Sequence, residues 1–421
     1  MNMTRMSALA LAIAFAASPA SALDLSGQSR TYLQSRQSED STRYLPFYEY
    51  LNVRAEDIGT PVVSFHAGGW FGRDFGNANY DDRKRSSGDL QYAYLSFARS
   101  TANSYLNLGR ITVNQGVASS RLDGASLGTD LIWGFGFSAF GGVPVETAFD
   151  TRSGDTVYGG RVSQGYAGRY QLGASYLLEK NNSLEVRKES GMDIWLRPID
   201  QIEVQGSSLY NGITAAYARH AYYLTLGPFR PLTLHGEFTQ ISYKDFFTSP
   251  TLSVFQLQPG GPLDPNEKLK TAGGDASLTF GPMTLAGDYK RYSYQLAGAA
   301  AYYGGRLVYA SSQNASAGLS FHRMGGQADA LRYNEYRLYG HKHFSKIDVT
   351  ADLLSVAYVT EINGVKNAYT ASLACGYAFT PKARLGADVE YSRNPYFDKD
   401  VRGLIQFVYN FDAAFGATGR K

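Results

Sequence analysis

The feature that most constrains this chain is period-two alternation, sustained over segment after segment. In Gly168–Leu178, Tyr170, Leu172, Ala174, Tyr176 and Leu178 share one phase, and Arg169, Gln171, Gly173 and Ser175 share the other. In Ala383–Ser392, Leu385, Ala387, Val389 and Tyr391 oppose Arg384, Gly386, Asp388 and Glu390. Leu232–Thr239, Gly273–Phe280 and Ala315–His322 repeat the pattern. Successive side chains of a strand point to opposite faces, so each segment reads as a strand with one apolar and one polar face. A soluble sandwich also alternates. Here, however, the apolar phase repeatedly ends in Tyr or Phe, as at Tyr170, Tyr176, Phe321, Tyr391, Tyr409 and Phe411. Amphipathic rings at the ends of an apolar band suit the two interfaces of a bilayer.

Composition fits strands that meet lipid on one face. The sequence has 421 residues, with 32 Tyr, 23 Phe and 45 Gly, and 44% of it is hydrophobic. Past the first residues, no segment resembles a membrane-spanning helix; the longest uncharged run, Leu131–Val145, contains four glycines. A barrel commits only every second residue to lipid, so its average hydropathy looks soluble. In hydrocarbon every backbone N–H and C=O needs a partner, so such strands must close on themselves. The expected fold is therefore all-β: a closed transmembrane antiparallel β-barrel of about 20 strands, in the range 18–22.

Residues 1–22 read as a cleaved secretory signal. Arg5 gives the positive start, Ser7–Ala17 the short apolar stretch, and Ala20-Ser21-Ala22 the small-residue cleavage site. Residues 23–421 are expected to form one barrel domain, since no linker, charge block or Pro/Ser/Gly tract divides them. The formal net charge of +3 leaves no electrostatic footprint for nucleic acid. Cys375 is the only cysteine, so there is no disulfide framework, and C-x-x-C-H is absent. No cofactor is called for. No nucleophile–base–orienter set stands out, which argues against an enzyme. A plugged receptor would need an N-terminal domain to fill the lumen, whereas the first strand starts near Leu25.

Turn chemistry suggests rims of unequal loop length. Short connections are expected at Phe280-Gly281-Pro282, Leu226-Gly227-Pro228, Phe344-Ser345-Lys346, Phe379-Thr380-Pro381-Lys382 and Tyr166-Ala167-Gly168. Long ones are expected at Phe75–Ser87, Lys180–Ser190, Lys244–Glu267 and Asn394–Asp400, with the short rim periplasmic. Leu90–Ala98, Ser104–Val113 and Tyr333–Phe344 give no clear phase, and Asp348–Tyr358 changes phase near Leu353-Leu354, as a bulge would make it do.

Val401–Phe411 reads VRGLIQFVYNF, with Ile405, Phe407, Tyr409 and Phe411 on one phase. It resembles the terminal strand of Gram-negative outer-membrane barrels, which the barrel-assembly machinery reads as a signal. The departure is that Asp412–Lys421 follows the terminal aromatic. Leu106–Asp130, with its Leu-Gly-Arg and a Gly- and Asp-containing run, looks like general porins. It looks more weakly like the porin-like barrels that sheathe multihaem cytochromes in outer-membrane electron conduits. The resemblance implies an outer-membrane location, lipid and assembly machinery as partners, and a water-filled channel for passive diffusion of small hydrophilic solutes or ions. The second reading is a non-haem barrel sheath with cytochromes in its lumen. Self-association stays open, since trimeric and monomeric barrels share these patterns.

Barrels of roughly 16 or more strands leave an aqueous interior. The polar phase would line it: Arg169, His235, Glu237, Asp275, Asp288, Lys290, Arg384, Asp388 and Glu390 are the candidate pore-lining residues. Most of these would simply solvate a wide lumen. Asn114–Gly128 is a candidate constriction loop, with Arg121 and Asp123 its only charges. His341 and His343 share one face, but no Cys or carboxylate stands at ligand spacing beside them, and they read as a polar strand end.

Overall fold

The computed structural model describes residues 23–37, 43–76, 86–99, 103–145, 154–246, 266–296, 298–311 and 314–415. The proposed secretory leader and most of Lys244–Glu267 lie outside the described residues.

The strands follow one another as antiparallel neighbours around a ring. β1 is Leu23–Gln37, β2 Pro46–Glu56, β3 Val63–Asp74 and β4 Ser86–Arg99. β5 is Ser104–Gln115, β6 Ala118–Asp130, β7 Phe135–Pro144 and β8 Thr156–Tyr166. β9 is Tyr170–Asn181, β10 Leu184–Ile199, β11 Ile202–Asn211 and β12 Ala216–Phe229. β13 is Leu232–Ser242, β14 Lys268–Phe280, β15 Met283–Tyr294 and β16 Gly298–Ser311. β17 is Ala315–Gly326, β18 Arg332–Phe344, β19 Ile347–Ile362, β20 Val365–Thr380, β21 Ala383–Asn394 and β22 Phe397–Phe415. The short piece Arg43–Tyr44 also pairs with β1 and continues β2.

The ring closes where β1 pairs with β22, from Leu23↔Phe415 to Arg36↔Arg402. The result is a closed antiparallel barrel of 22 strands, at the upper end of the expected range. Closure leaves no edge to be stranded in hydrocarbon. It also accounts for the departure at the C-terminus. The last strand runs past Phe411, and Asp412 to Phe415 pair with Ser26 to Leu23.

The two phases are visible in the packing. Leu172, Tyr176, Met192, Leu285, Leu319, Leu338, Leu373 and Ile405 are exposed, as residues facing lipid are in an isolated chain. The alternate phase carries His235, Glu237, Asp275, Asp288, Lys290, Arg384, Asp388 and Glu390. Ile405, Phe407, Tyr409 and Phe411 share the outward phase, and Tyr409 stacks against Phe411 with centroids 6.4 Å apart.

Loop lengths segregate on one rim only. On the rim of the chain ends, turns such as 167–169, 281–282, 345–346 and 381–382 are short. The opposite rim mixes long connections, such as 243–267, with tight turns. Two expected long loops are such turns: Lys180–Ser190 is two paired strands joined at Asn182–Ser183, and Asn394–Asp400 turns at Pro395–Tyr396. Polar composition misled there, because charged residues near a strand's outer end are solvated without needing a loop. Leu226-Gly227-Pro228 is not a turn either; the chain reverses at Arg230–Pro231, with a register shift between Leu226 and Phe229. The bulge expected at Leu353-Leu354 is absent from the β19–β20 ladder, which shifts between Ala357 and Ile362 instead. Leu131–Gly134 forms a turn, and the strand starts at Phe135.

Candidate functional site: a hairpin folded into the lumen

Asn114–Gly128 is not a loop. Gln115 ends β5, Ala118 starts β6, and the two strands pair to their tip at Gln115↔Ala118. What sets this hairpin apart is the loss of its outer partners. β5 pairs with β4 only as far as Ala93↔Arg110, and the β6–β7 ladder stops at Leu122↔Pro144. Between those limits the hairpin has left the wall.

The break comes at Gly109, whose φ of +131° is closed to a residue with a side chain. A Cβ there would lie 2.3 Å from the Ala93 carbonyl oxygen, so the backbones approach as closely as glycine allows. Gly109 faces Gly124 in register, and Gly124 faces Gly142.

The freed hairpin turns inward. The Val117 N–H donates to the Ser175 hydroxyl of β9 at 3.1 Å, and Arg187 of β10 donates to the Ser119 carbonyl at 2.7 Å. Ser175 shares its phase with Gln171 and Gly173, opposite the exposed Leu172 and Tyr176, so it faces the lumen. The tip has therefore passed over β7 and β8 and rests on the inner wall. Gly116 allows this contact: at φ +65° a Cβ would meet Ser175 Oγ at 2.7 Å.

An apolar core fills the space beneath. Ile111, Val113, Ala118 and Leu122 from the hairpin pack on Phe140, Val157 and Leu177, the inward residues of β7, β8 and β9, with Tyr94 against them. All seven are at most 5% exposed. Burying this apolar surface holds the hairpin down. A lumen face that was polar throughout could not do so.

Inversion follows from the fold. The phase of Leu106 and Leu108 faces lipid below Gly109, but above it the same phase turns away from the apolar core, on the lumen side of the wall. That phase carries Arg110, Arg121 and Asp123. Arg110 binds Asp123 through two parallel bonds of 2.8 and 2.9 Å. Arg121 pairs with Asp89 of β4, and Arg110 donates to the Leu90 carbonyl at 3.2 Å. Asp89 and Arg110 were missed in the sequence. The signal was the lost phase of Ser104–Val113, where Ile111 and Val113 occupy the phase that is polar below.

The other candidates are spread around the wall. His235 Nδ1 lies 3.1 Å from Asp275, and Lys290 pairs with Glu237 at 2.8 Å. Asp288 accepts from His322 at 2.9 Å, and Arg384 clamps Asp348 at 2.5 and 2.6 Å. Glu390 sits 3.8 Å from Arg402, and Asp388 shares its phase on β21. Arg169 stands off the wall: it lies in the turn at the rim of the chain ends, 3.6 Å from Asp200. His341 and His343 share the inward phase, and His341 pairs with Thr350 at 3.0 Å. Outside the strands, the Tyr243 phenol is pushed above its ordinary value, first by burial and then by the charge of Glu267.

No protein-family model matches this sequence, and no curated protein matches it either. Solved structures do match in fold. A mutant of the ferric enterobactin receptor PfeA of Pseudomonas aeruginosa superposes with a TM-score of 0.58 at 8% identity, over 93% of this chain and 81% of that one. The fold is that of an outer-membrane β-barrel. The P pilus usher (PapC) translocation pore gives 0.51 at 9% identity, over 92% of this chain and 99% of that one. OccK8 (OprE) of Pseudomonas aeruginosa gives 0.46 at 10%, over 94% and 100%. At these identities the likeness is one of fold.

Proposed function

We propose that this outer-membrane barrel is a channel for passive diffusion of small hydrophilic solutes or ions, narrowed by the β5–β6 hairpin. The observation that carries this reading is the seating of Val117 on Ser175. A barrel of this size has an interior far wider than side chains can fill. A hairpin packed against its inner wall occupies part of that width and turns Arg121 and Asp123 toward what remains, each held by a buried partner, Asp89 and Arg110. Charges placed at a constriction are a means by which pores select. Because the four are mutually paired, they present a transverse field and no net charge.

The test is single-channel conductance of the refolded barrel in a planar bilayer. Discrete open channels are expected, and Arg121→Ala with Asp123→Ala should change conductance or ion preference. A folded barrel that never conducts overturns the reading. One very wide, unselective pore, unmoved by the double substitution, would favour the sheath for a partner protein instead.

A further inference from the structure

Next to the hairpin, the inward phase of β1–β4 is lined with aromatic rings in contact across the strands. Tyr32 on β1 meets Tyr50 on β2 at 5.6 Å between centroids. Tyr50 meets Tyr48 at 6.4 Å, and Trp70 on β3 lies 5.9 Å from Tyr48 and 6.4 Å from Tyr50. Tyr92 on β4 continues the row. Trp70 is paired in register with Asp89, the partner of Arg121. The row therefore leads to the charged face of the hairpin.

Two features turn these rings from packing into a surface. Two of them lie over inward glycines: a Cβ on Gly72 would meet the Tyr48 ring at 2.7 Å, and one on Gly68 would meet Tyr92 at 2.5 Å. Tyr32 stands edge-on to Tyr50 at 89° and Tyr48 to Trp70 at 67°, so the row offers the lumen both ring faces and ring edges, and all five rings are only partly buried. Polar side chains border them as well. Gln406 donates to the Tyr32 hydroxyl at 3.1 Å, and the Tyr92 hydroxyl donates to Asn52 at 3.0 Å. Arg30, which donates to Gln28, is the register partner of Tyr50.

We propose that Tyr32, Tyr48, Tyr50, Trp70 and Tyr92 form a binding track for pyranose sugars, leading to the hairpin's charged face. Passage along the track rests on the channel reading, whereas binding to it needs the lumen open at one rim only. A pyranose has a C–H face that lies on an aromatic ring and a rim of hydroxyls that both donate and accept. The track offers both complements: a row of partly exposed rings, and tyrosine, amide and guanidinium groups beside them. A simple anion would use the guanidinium and leave the rings idle. A flat aromatic solute would use the rings and leave the amides idle. Ligand sites of this kind pair apolar platforms with a few placed polar groups.

The experiment titrates the refolded barrel with maltohexaose, a neutral pyranose chain, and with benzoate as the rival solute. Calorimetry reads binding, and sugar-induced interruption of single-channel current reads passage. Maltohexaose should bind and interrupt the current. Trp70→Ala and Tyr50→Ala should each weaken it about tenfold, the scale of one ring contact. The binding-induced change in tryptophan fluorescence should vanish in Trp70→Phe and persist in Trp195→Phe. A channel that conducts but neither binds maltohexaose nor is interrupted by it overturns the track and leaves the channel reading standing. Heat released by benzoate but not by the sugar overturns it too. Sugar binding with no conductance supports the track and sinks the channel reading.

Discussion

Val117, in the β5–β6 turn, and Ser175, on β9, are 58 residues apart in sequence, yet the backbone N–H of the first donates to the hydroxyl of the second at 3.1 Å. The contact fixes the hairpin tip inside the barrel. The Val117 side chain seats on Gly191 of β10, where an added Cβ would lie 2.1 Å from Val117 Cγ2. Gly191→Leu should therefore evict the tip. The expected outcome is a larger unit conductance with strand content unchanged by circular dichroism. Gly191→Ala with Val117→Ala should restore the smaller channel. An unaltered conductance in Gly191→Leu would show that the tip does not limit the pore.

The core beneath the hairpin should respond to truncation as a soluble core does. Leu122 is fully buried among Ile111, Phe140, Val157 and Leu177. Leu122→Ala removes packed methyl groups and leaves a cavity, which costs about 2–5 kcal/mol at buried sites. The wall's hydrogen-bonded ladders do not depend on this core. The cost should fall on the hairpin, as noisier open-channel current and faster proteolysis near Gly116–Val117. The temperature at which the barrel loses its heat-resistant mobility on gels should hardly move.

Charge changes at the hairpin have a definite sign. Arg110 is nearly buried, and its guanidinium is held by both oxygens of Asp123. Asp123→Asn leaves that cation without its counter-charge and should shift the reversal potential in a salt gradient toward anions. Arg110→Gln leaves Asp123 unpaired and should shift it toward cations. Asp123 is 34% exposed, so water screens the pair and breaking it costs less than the about 3–5 kcal/mol of a fully buried one, but both variants should also loosen the hairpin. Shifts of the same sign in the two variants would place the pair away from the conducting path.

The barrel was legible in the sequence because lipid on one side and water on the other force strict alternation, and Gly168–Leu178 or Ala383–Ser392 carry it without interruption. The hairpin was legible only as a disturbance. Its lower half obeys the lipid–water rule, whereas above Gly109 both faces meet something else: Ile111 and Val113 meet the apolar core, and Arg110 meets Asp123 and the Leu90 carbonyl. A window spanning that switch averages two opposite patterns and gives no phase, which is why Arg121 and Asp123 could be singled out but their partners Asp89 and Arg110 could not. The aromatic track was illegible for another reason. Tyr32, Tyr50 and Trp70 fall in the polar phase of separate strands, and only the register between those strands brings them together.

The closing seam gives the last prediction. Phe411 looks like the natural end of an outer-membrane terminal strand, but the β1–β22 ladder continues through Asp412↔Ser26, Ala413↔Leu25, Ala414↔Asp24 and Leu23↔Phe415. Lys382, in the turn before β21, also reaches Asp412 at 2.6 Å. A chain ending at Phe411 keeps Ile405, Phe407, Tyr409 and Phe411 in their outward phase but loses the last rungs at the rim where the chain begins. If the assembly machinery reads those four residues, truncation should leave delivery to the outer membrane intact. The lost rungs expose backbone groups of Leu23 to Ser26 to water at the rim, not to hydrocarbon, so the fold should survive at a lower unfolding temperature. Ending the chain instead at Leu404 removes the aromatic phase and most of the seam, and should abolish assembly. Failure of the Phe411-terminated chain to reach the membrane would mean that recognition extends into Asp412–Phe415. Comparing membrane-fraction yield with unfolding temperature in the two truncations separates recognition from closure.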